Sequence, residues 1–247
     1  MVPLSVVIIT LNEEKNIGRC LDSVQDIADD IVVVDSFSSD KTEEICKQYK
    51  VNFIQRKWEG YSKTKNYAGG QAKHDWILSL DADEALSEEL KIAISTVKLK
   101  SEKRLFKFNR LTNYCGKWIW HSGWYPDTKI RMFDRKKASW QGIIHEKLIS
   151  TDEQEAQWLK GNCLHYTYYS VQEHIAQANK FSEIAAKELF MQGKRSNWIL
   201  IVVKTVAKFI RNYFLKLGIL DGYYGFVICR TTAYETFLKY YKLKKMG

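Results

Sequence analysis

Three carboxylates fall within four residues at Asp81, Asp83 and Glu84, directly after the apolar run Trp76, Ile77 and Leu78. Carboxylates repel one another and resist burial unless paired, so a cluster where a buried strand surfaces implies a bound cation. Oxygen donors suit Mg2+ or Mn2+, and Mg2+ is commonly held by one or two carboxylates together with substrate phosphates. In open α/β sheets, ligands bind at the carboxyl ends of the strands. Taken alone, the triplet reads equally as a polar turn before a helix, with Glu84 as a helix-start residue.

The elements that must position the triplet follow in chain order. Residues 5–10 form a continuous apolar run, as expected of a strand buried on both faces, and end in Thr10, Leu11, Asn12 and Glu13. A helical pattern runs through Ile17, Leu21 and Val24, and a second strand over 31–34 opens into Asp35, Ser36, Phe37 and Ser38. Helix signals over 42–45, a strand over 51–54, a polar helix over 61–72 and a strand over 76–80 come next. Ser87 then caps a helix with Leu90, Ile94 and Val97 on one face. Alternating strands and helices predict an α/β fold with a mixed, mostly parallel sheet flanked by helices. Three strand ends thus carry polar clusters, which share one crevice if the strands are neighbours. The glycine-rich fingerprints of dinucleotide-redox and P-loop proteins are absent.

The 247 residues, 45% of them hydrophobic, suffice for one large α/β domain with an appendage. Five scattered cysteines without a Cys-x-x-Cys pair give neither a zinc site nor a disulfide framework. The start reads as a strand rather than a signal peptide, and no window approaches the ~20 apolar residues of a spanning helix. A cytoplasmic setting is expected. The net charge of +9 is confined to the end of the chain: from Lys194 onward there are eleven Lys and Arg against two acids, Asp221 and Glu235.

The motifs resemble those of the family 2 nucleotide-sugar glycosyltransferases of the GT-A fold. The likeness rests on Val6 through Glu13, Val33 through Thr42, Lys65 with Asn66, and Leu80 through Asp83, in that family's order and spacing. A narrower likeness, to bacterial lipopolysaccharide-core β-glycosyltransferases, rests on Gly123 through Asp127, Lys129 through Phe133, Ile144 through Glu146, and Leu220 through Phe226. The resemblance implies a Rossmann-like nucleotide-sugar-binding domain over 1–168 and a helical basic region over 169–247. It implies that Thr10, Glu13 and Asp35, with Asn12 and Ser38, hold the uridine of a UDP-sugar such as UDP-glucose. Lys65 would lie near the diphosphate, Asp81 near the ribose or sugar, and Asp83 on Mn2+ or Mg2+, as in a DxD motif.

Inverting transfer needs a base for the acceptor hydroxyl. Many relatives use the Asp of a Glu-Asp pair, but the comparable place here reads His145-Glu146. Glu146 is the first choice of base and Asp127 the second, while His145 would ligate the metal or orient Glu146. Trp118, Trp124, Tyr125 and Arg131 are candidate acceptor contacts, the aromatics reading equally as core. His165 reads first as a structural histidine and second as a further metal ligand.

In the tail, Ser170 and Glu173 form a capping-box pattern, and a second helix is predicted over 197–217. Its Lys204, Lys208 and Arg211 share one side, with Val203, Val206, Ile210, Tyr213 and Leu217 opposite. That pattern suits either packing on the protein or an anionic membrane surface. Attachment to the inner membrane face, a lipid-linked or lipopolysaccharide-core acceptor and no nucleic-acid partner are the expectations. Competing readings are a nucleotidyltransferase making NDP-sugars, which would want a glycine-rich basic first loop, and a non-catalytic membrane adaptor.

Overall fold

The computed structural model describes residues 1–100, 105–142, 146–151 and 155–247. The first half contains β1 (Leu4–Thr10), α1 (Ile17–Asp22), β2 (Asp30–Asp35), α2 (Thr42–Cys46), β3 (Asn52–Gln55), α3 (Tyr61–Gln71) and β4 (Trp76–Asp81). Then follow β5 (Glu84–Leu86), α4 (Glu88–Lys100), β6 (Leu105–Tyr114), β7 (Lys117–Ile119) and β8 (Asp127–Asp134). The short strands β9 (Ala138–Gln141) and β10 (Lys147–Ser150) precede the long β11 (Gln157–Tyr168). The chain closes with α5 (Val171–Met191), α6 (Trp198–Ile210) and α7 (Gly222–Lys245), the last two joined by a π turn, Arg211–Leu215, and a 3-10 turn, Gly218–Asp221.

Two compact units result: Met1–Arg110 with Asp127–His165, and Leu111–Pro126 with Tyr166–Gly247. Residues 111–126 group with the helical segment, whereas the resemblance implies a single division at residue 168.

The main sheet runs β3-β2-β1-β4-β8-β6-β11-β5, with β7 paired to β6. The alternation of strands and helices up to β4 yields a parallel core, β3-β2-β1-β4. Beyond β4, β8 pairs antiparallel with β4 and β6, and β5 pairs antiparallel with β11. The apolar run of β1 is buried throughout because it faces two layers. Leu4, Val6 and Ile8 pack with Ile17 and Leu21 of α1 and Leu90 and Ile94 of α4. Val7 and Ile9, on the other face, pack with Ala68 of α3 and Trp140 of β9. Glu84, read from sequence as a helix start, instead opens the buried strand β5.

The second unit has its own core, in which Tyr114 and Ile119 pack with Val227 and Ile228 of α7. The Tyr114 hydroxyl meets His174 Nδ1 at 3.0 Å, and burial pushes His174 down to about 4, so the ring is neutral. Ser170 caps α5 in a complete capping box with Glu173, as the sequence predicts.

Two sequence motifs meet in this unit. The buried Asp221 carboxylate accepts from the backbone amides of Trp120 and His121, from His121 Nδ1 and from the Ser122 hydroxyl. Gly225 packs so tightly beneath the 3-10 turn that a Cβ would lie 2.0 Å from the Gly218 carbonyl oxygen. The glycine there is a packing requirement.

Candidate active site

The register of the parallel core gathers the three polar strand ends. Thr10 of β1 stands opposite Asp35 of β2, and Ile9 opposite Asp81 of β4. The loops after β1 and β2 are bound into one surface. The Asn12 amide donates to Ser38 Oγ at 2.8 Å, and Asn12 Oδ1 accepts from the Ser39 amide at 2.8 Å. Asn12 and Phe37 both take left-handed backbone conformations, with φ of 56° and 63°. Asp35 is fully buried and accepts from the Ser38 amide at 2.9 Å and from the Ser38 hydroxyl. The buried Thr10 hydroxyl has no hydrogen-bond partner among the described residues.

Below this surface lies a network of buried charge. Lys65, on α3, is buried and its Nζ lies 2.9 Å from Asp81 Oδ1 and 3.0 Å from Glu146 Oε1. Arg131 of β8 is also buried; its Nη2 lies 2.9 Å from both Asp81 Oδ2 and Glu84 Oε1. Glu84 Oε2 accepts from the Asp81 backbone amide at 3.0 Å, and Arg110 Nη1 approaches Glu84 Oε1 at 3.5 Å. The Trp140 indole lies against both cations, 4.8 Å from Lys65 Nζ and 5.7 Å from the Arg131 guanidinium. Burial alone would raise the Asp81 carboxyl, but Lys65 and Arg131 prevail and hold it well below the usual carboxylate range. The same carboxylates keep Arg131 charged against the opposing pull of burial.

The second carboxylate of the triplet has different company. Asp83 Oδ2 lies 3.1 Å from His165 Nε2, and His165 Nδ1 is buried without a partner among the described residues. Glu13 sits near both. Its burial pushes the carboxyl up to about 7, the hydrogen bond from Asn16 opposes this, and Asp83 and Asp40 add to it. Among the described residues no three His, Cys, Asp or Glu side chains are grouped to hold an ion. The carboxylate and imidazole present fit a divalent cation that takes its other ligands from a bound phosphate rather than a preformed cage. His145 lies outside the described residues.

The two candidate bases differ in their surroundings. Asp127 has both oxygens engaged, Oδ2 by Arg110 and Oδ1 by Lys129, each at 2.9 Å. Glu146 gives Oε1 to Lys65, while no hydrogen bond or ion pair engages Oε2 among the described residues. Of the aromatic candidates, Trp124 packs against the Tyr114 core, and Trp118 stands edge-on to Tyr166 with ring centres 5.3 Å apart. Tyr125 pairs with the exposed Trp120 at 4.9 Å. Arg131, a candidate acceptor contact by sequence, is buried against Asp81 and Glu84. Sequence reasoning overlooked Glu84, Arg110 and Trp140, whose signal is long-range pairing, although the Glu beside the Asp pair was in view.

Two outcomes are expected. In metal-free protein the native state keeps the Glu13 proton up to about pH 7, whereas the unfolded chain releases it near its ordinary value of 4.5. Between these values the native state binds more protons, so stability falls as pH rises through that window. Thermal unfolding at several pH values should show this slope, and Glu13→Gln should remove it. Glu84→Gln leaves the buried Arg131 guanidinium undercompensated and should cost about 3 kcal/mol in urea unfolding. An unchanged urea midpoint would exclude Glu84 as the network's anchor.

The family model described as "Glycosyl transferase family 2" matches residues 5–148. The chain is 31% identical over 259 residues to an "Uncharacterized glycosyltransferase" of Rickettsia bellii, covering 99% of this chain and 87% of that protein. It is 28% identical over 257 residues to the "Lipopolysaccharide core biosynthesis glycosyltransferase LpsC" of Rhizobium meliloti, covering 96% and 90% of the two chains. Among solved structures, S. aureus TarS 1-349 in complex with UDP aligns with a TM-score of 0.46 at 17% identity, over 73% of this chain and 64% of that one. Glucosyl-3-phosphoglycerate synthase from Mycobacterium tuberculosis, in complex with Mn2+, UDP and glucosyl-3-phosphoglycerate, gives 0.39 at 19% identity over 45% and 44%. With a family match spanning more than half of its length, the chain belongs to glycosyl transferase family 2 and is a glycosyltransferase.

Proposed function

We propose that this enzyme is a metal-dependent inverting transferase that moves a hexose from a UDP-sugar, such as UDP-glucose, to a lipid-linked or lipopolysaccharide-core glycan at the inner membrane face. The observation that carries the reading is the buried ammonium of Lys65, which joins the donor-side carboxylate Asp81 to Glu146. A donor carboxylate and a candidate base thus meet at one cation, beside the gathered strand ends.

In this reading Thr10, Asn12, Glu13, Asp35 and Ser38 form the nucleoside surface. Lys65 neutralises the diphosphate and Asp81 contacts the ribose or sugar. Asp83, with His165, holds Mn2+ or Mg2+, and His145 is kept as a candidate ligand by sequence. The bound cation supplies charge neutralisation as the diphosphate departs. Glu146 takes the acceptor hydroxyl proton while that oxygen bonds to C1 and the C1–O bond to UDP breaks, the electron pair leaving with UDP. Oε2 of Glu146, unengaged among the described residues, favours it over Asp127. Trp118, Trp124, Tyr125 and Arg131 remain the sequence-derived acceptor candidates. The exposed Trp120, paired with the half-buried Tyr125, has the accessibility a sugar platform needs, whereas Arg131 fits the holding of Asp81 better than contact with an acceptor. The catalytic region over 1–168 and the basic region over 169–247 keep their separate proposed roles, chemistry and membrane attachment.

Glu146→Gln should retain UDP binding by calorimetry and lose transfer by a factor of about 10²–10⁴, the usual worth of a general base. Survival of activity there with loss in Asp127→Asn would transfer the role to Asp127. Asp83→Ala should abolish the Mn2+ dependence of UDP binding, and metal-independent binding by the parent enzyme would sink the metal assignment. A screen of UDP-sugars for hydrolysis with Mn2+ present identifies the donor.

A further inference from the structure

Helix α6 is built inside out. Ile199, Val202, Val203, Val206 and Ile210 recur at helical spacing and form one stripe. That stripe faces outward, with exposure from 45% at Ile210 to 76% at Ile199. The opposite side carries the buried Ile201 together with Lys208, whose amine is pushed down by its burial and by neighbouring Arg211. A surface helix in water places these faces the other way round. Leu215 and Leu220, in the turns after α6, and Tyr223, in the first turn of α7, are exposed as well. An apolar groove opens beside Val206, lined by Phe209, Tyr234 and Phe237, with Arg230 in its wall. Contiguous exposed apolar surface of this kind marks an interaction site.

The charge around the stripe indicates what covers it. From Lys194 onward the eleven Lys and Arg face only two acids. Asp221 is buried and engaged by the backbone amides of Trp120 and His121. Glu235 is raised above its ordinary value by burial, and Lys208 and Lys239 lie beside it. The accessible charge of this segment is therefore positive. A second copy of the chain would bring like charge to the same patch, whereas an anionic bilayer offers an apolar interior beneath a negative surface. Lys204 and Arg211 stand about a third of a turn or more from the middle of the stripe, where long basic side chains reach headgroups while the apolar residues enter the acyl boundary. Among the described residues no helix is long and apolar enough to cross a membrane.

We infer that the outward stripe of α6, with the turns after it, is an interfacial anchor that inserts into the surface of an anionic lipid bilayer. The inference deepens the membrane reading above and rests on it. It names the inserting face as the apolar stripe, with the basic residues as a flank.

The test uses the full chain in flotation with vesicles of phosphatidylcholine alone or mixed with phosphatidylglycerol. The parent protein should float with the mixed vesicles, and less so with neutral ones or at high salt. Val203→Gln combined with Val206→Gln should reduce partitioning about tenfold or more, and Lys204→Gln combined with Arg211→Gln should reduce it while weakening the salt dependence. Circular dichroism and calorimetric UDP binding, unchanged in both variants, report that the fold and donor site are intact. Equal flotation of the Val203/Val206 variant and the parent would overturn the inference. So would a parent that ignores vesicles yet sediments as a dimer dissolved by those substitutions. A parent that floats but binds no UDP would leave the anchor standing and remove the proposed donor chemistry.

Discussion

A buried ammonium group must have partners, and in this enzyme Lys65 finds them on two separate parts of the chain. Its Nζ binds Asp81, at the end of β4, and Glu146, just before β10. Taking such charges out of water costs several kcal/mol per ion, so the cluster persists only where each charge is met by another in good geometry. Arg131 supplies the remaining compensation by holding Asp81 from its other oxygen and passing the link to Glu84. The Asp81 carboxylate thus stays ionised despite its burial, and its place at the sheet edge is held by charge as much as by backbone.

Much of the parallel core was legible because its signals are local. Continuous apolar runs, polar strand ends and intervening helical patterns are each read within ten residues, and they correspond to β1, β2 and β4 and the helices between them. What pattern alone left conditional was whether those strands are neighbours; the register of β1 against both β2 and β4 meets the condition. The antiparallel half was less legible, since β6, β8 and β11 are separated by stretches without regular alternation. Glu84 shows the limit well. Its neighbours in sequence suggest a helix start, while its environment is set by Arg110 and Arg131, 26 and 47 residues away.

The second unit teaches the same lesson through two stretches a hundred residues apart. The stretch around Trp120 and the stretch around Asp221 are joined by a carboxylate that collects two amides, a ring nitrogen and a hydroxyl. Gly218 and Gly225 complete the junction by letting the turn and α7 approach each other closely. In α6 the apolar spacing of Val203, Val206 and Ile210 was legible, but the helix expected to reach residue 217 ends at Ile210, leaving Tyr213 in the π turn and Leu217 in a left-handed link. The direction of the apolar face was not readable, since periodicity defines a face without saying what lies against it.

The adjacent residues Lys65 and Asn66 grip the same tryptophan in different ways. While Lys65 rests on the indole of Trp140, the Asn66 carboxamide donates to the Trp140 carbonyl and accepts from its amide, both at 2.8 Å. The side chain of Asn66 thereby behaves as a strand one residue long, offering β9 the donor and acceptor that a neighbouring backbone would have supplied. Aspartate in its place would keep the acceptor and lose the donor, and glutamine would carry the amide one methylene too far. A helix that borrows the hydrogen-bonding grammar of a sheet for a single side chain explains why asparagine follows the lysine here.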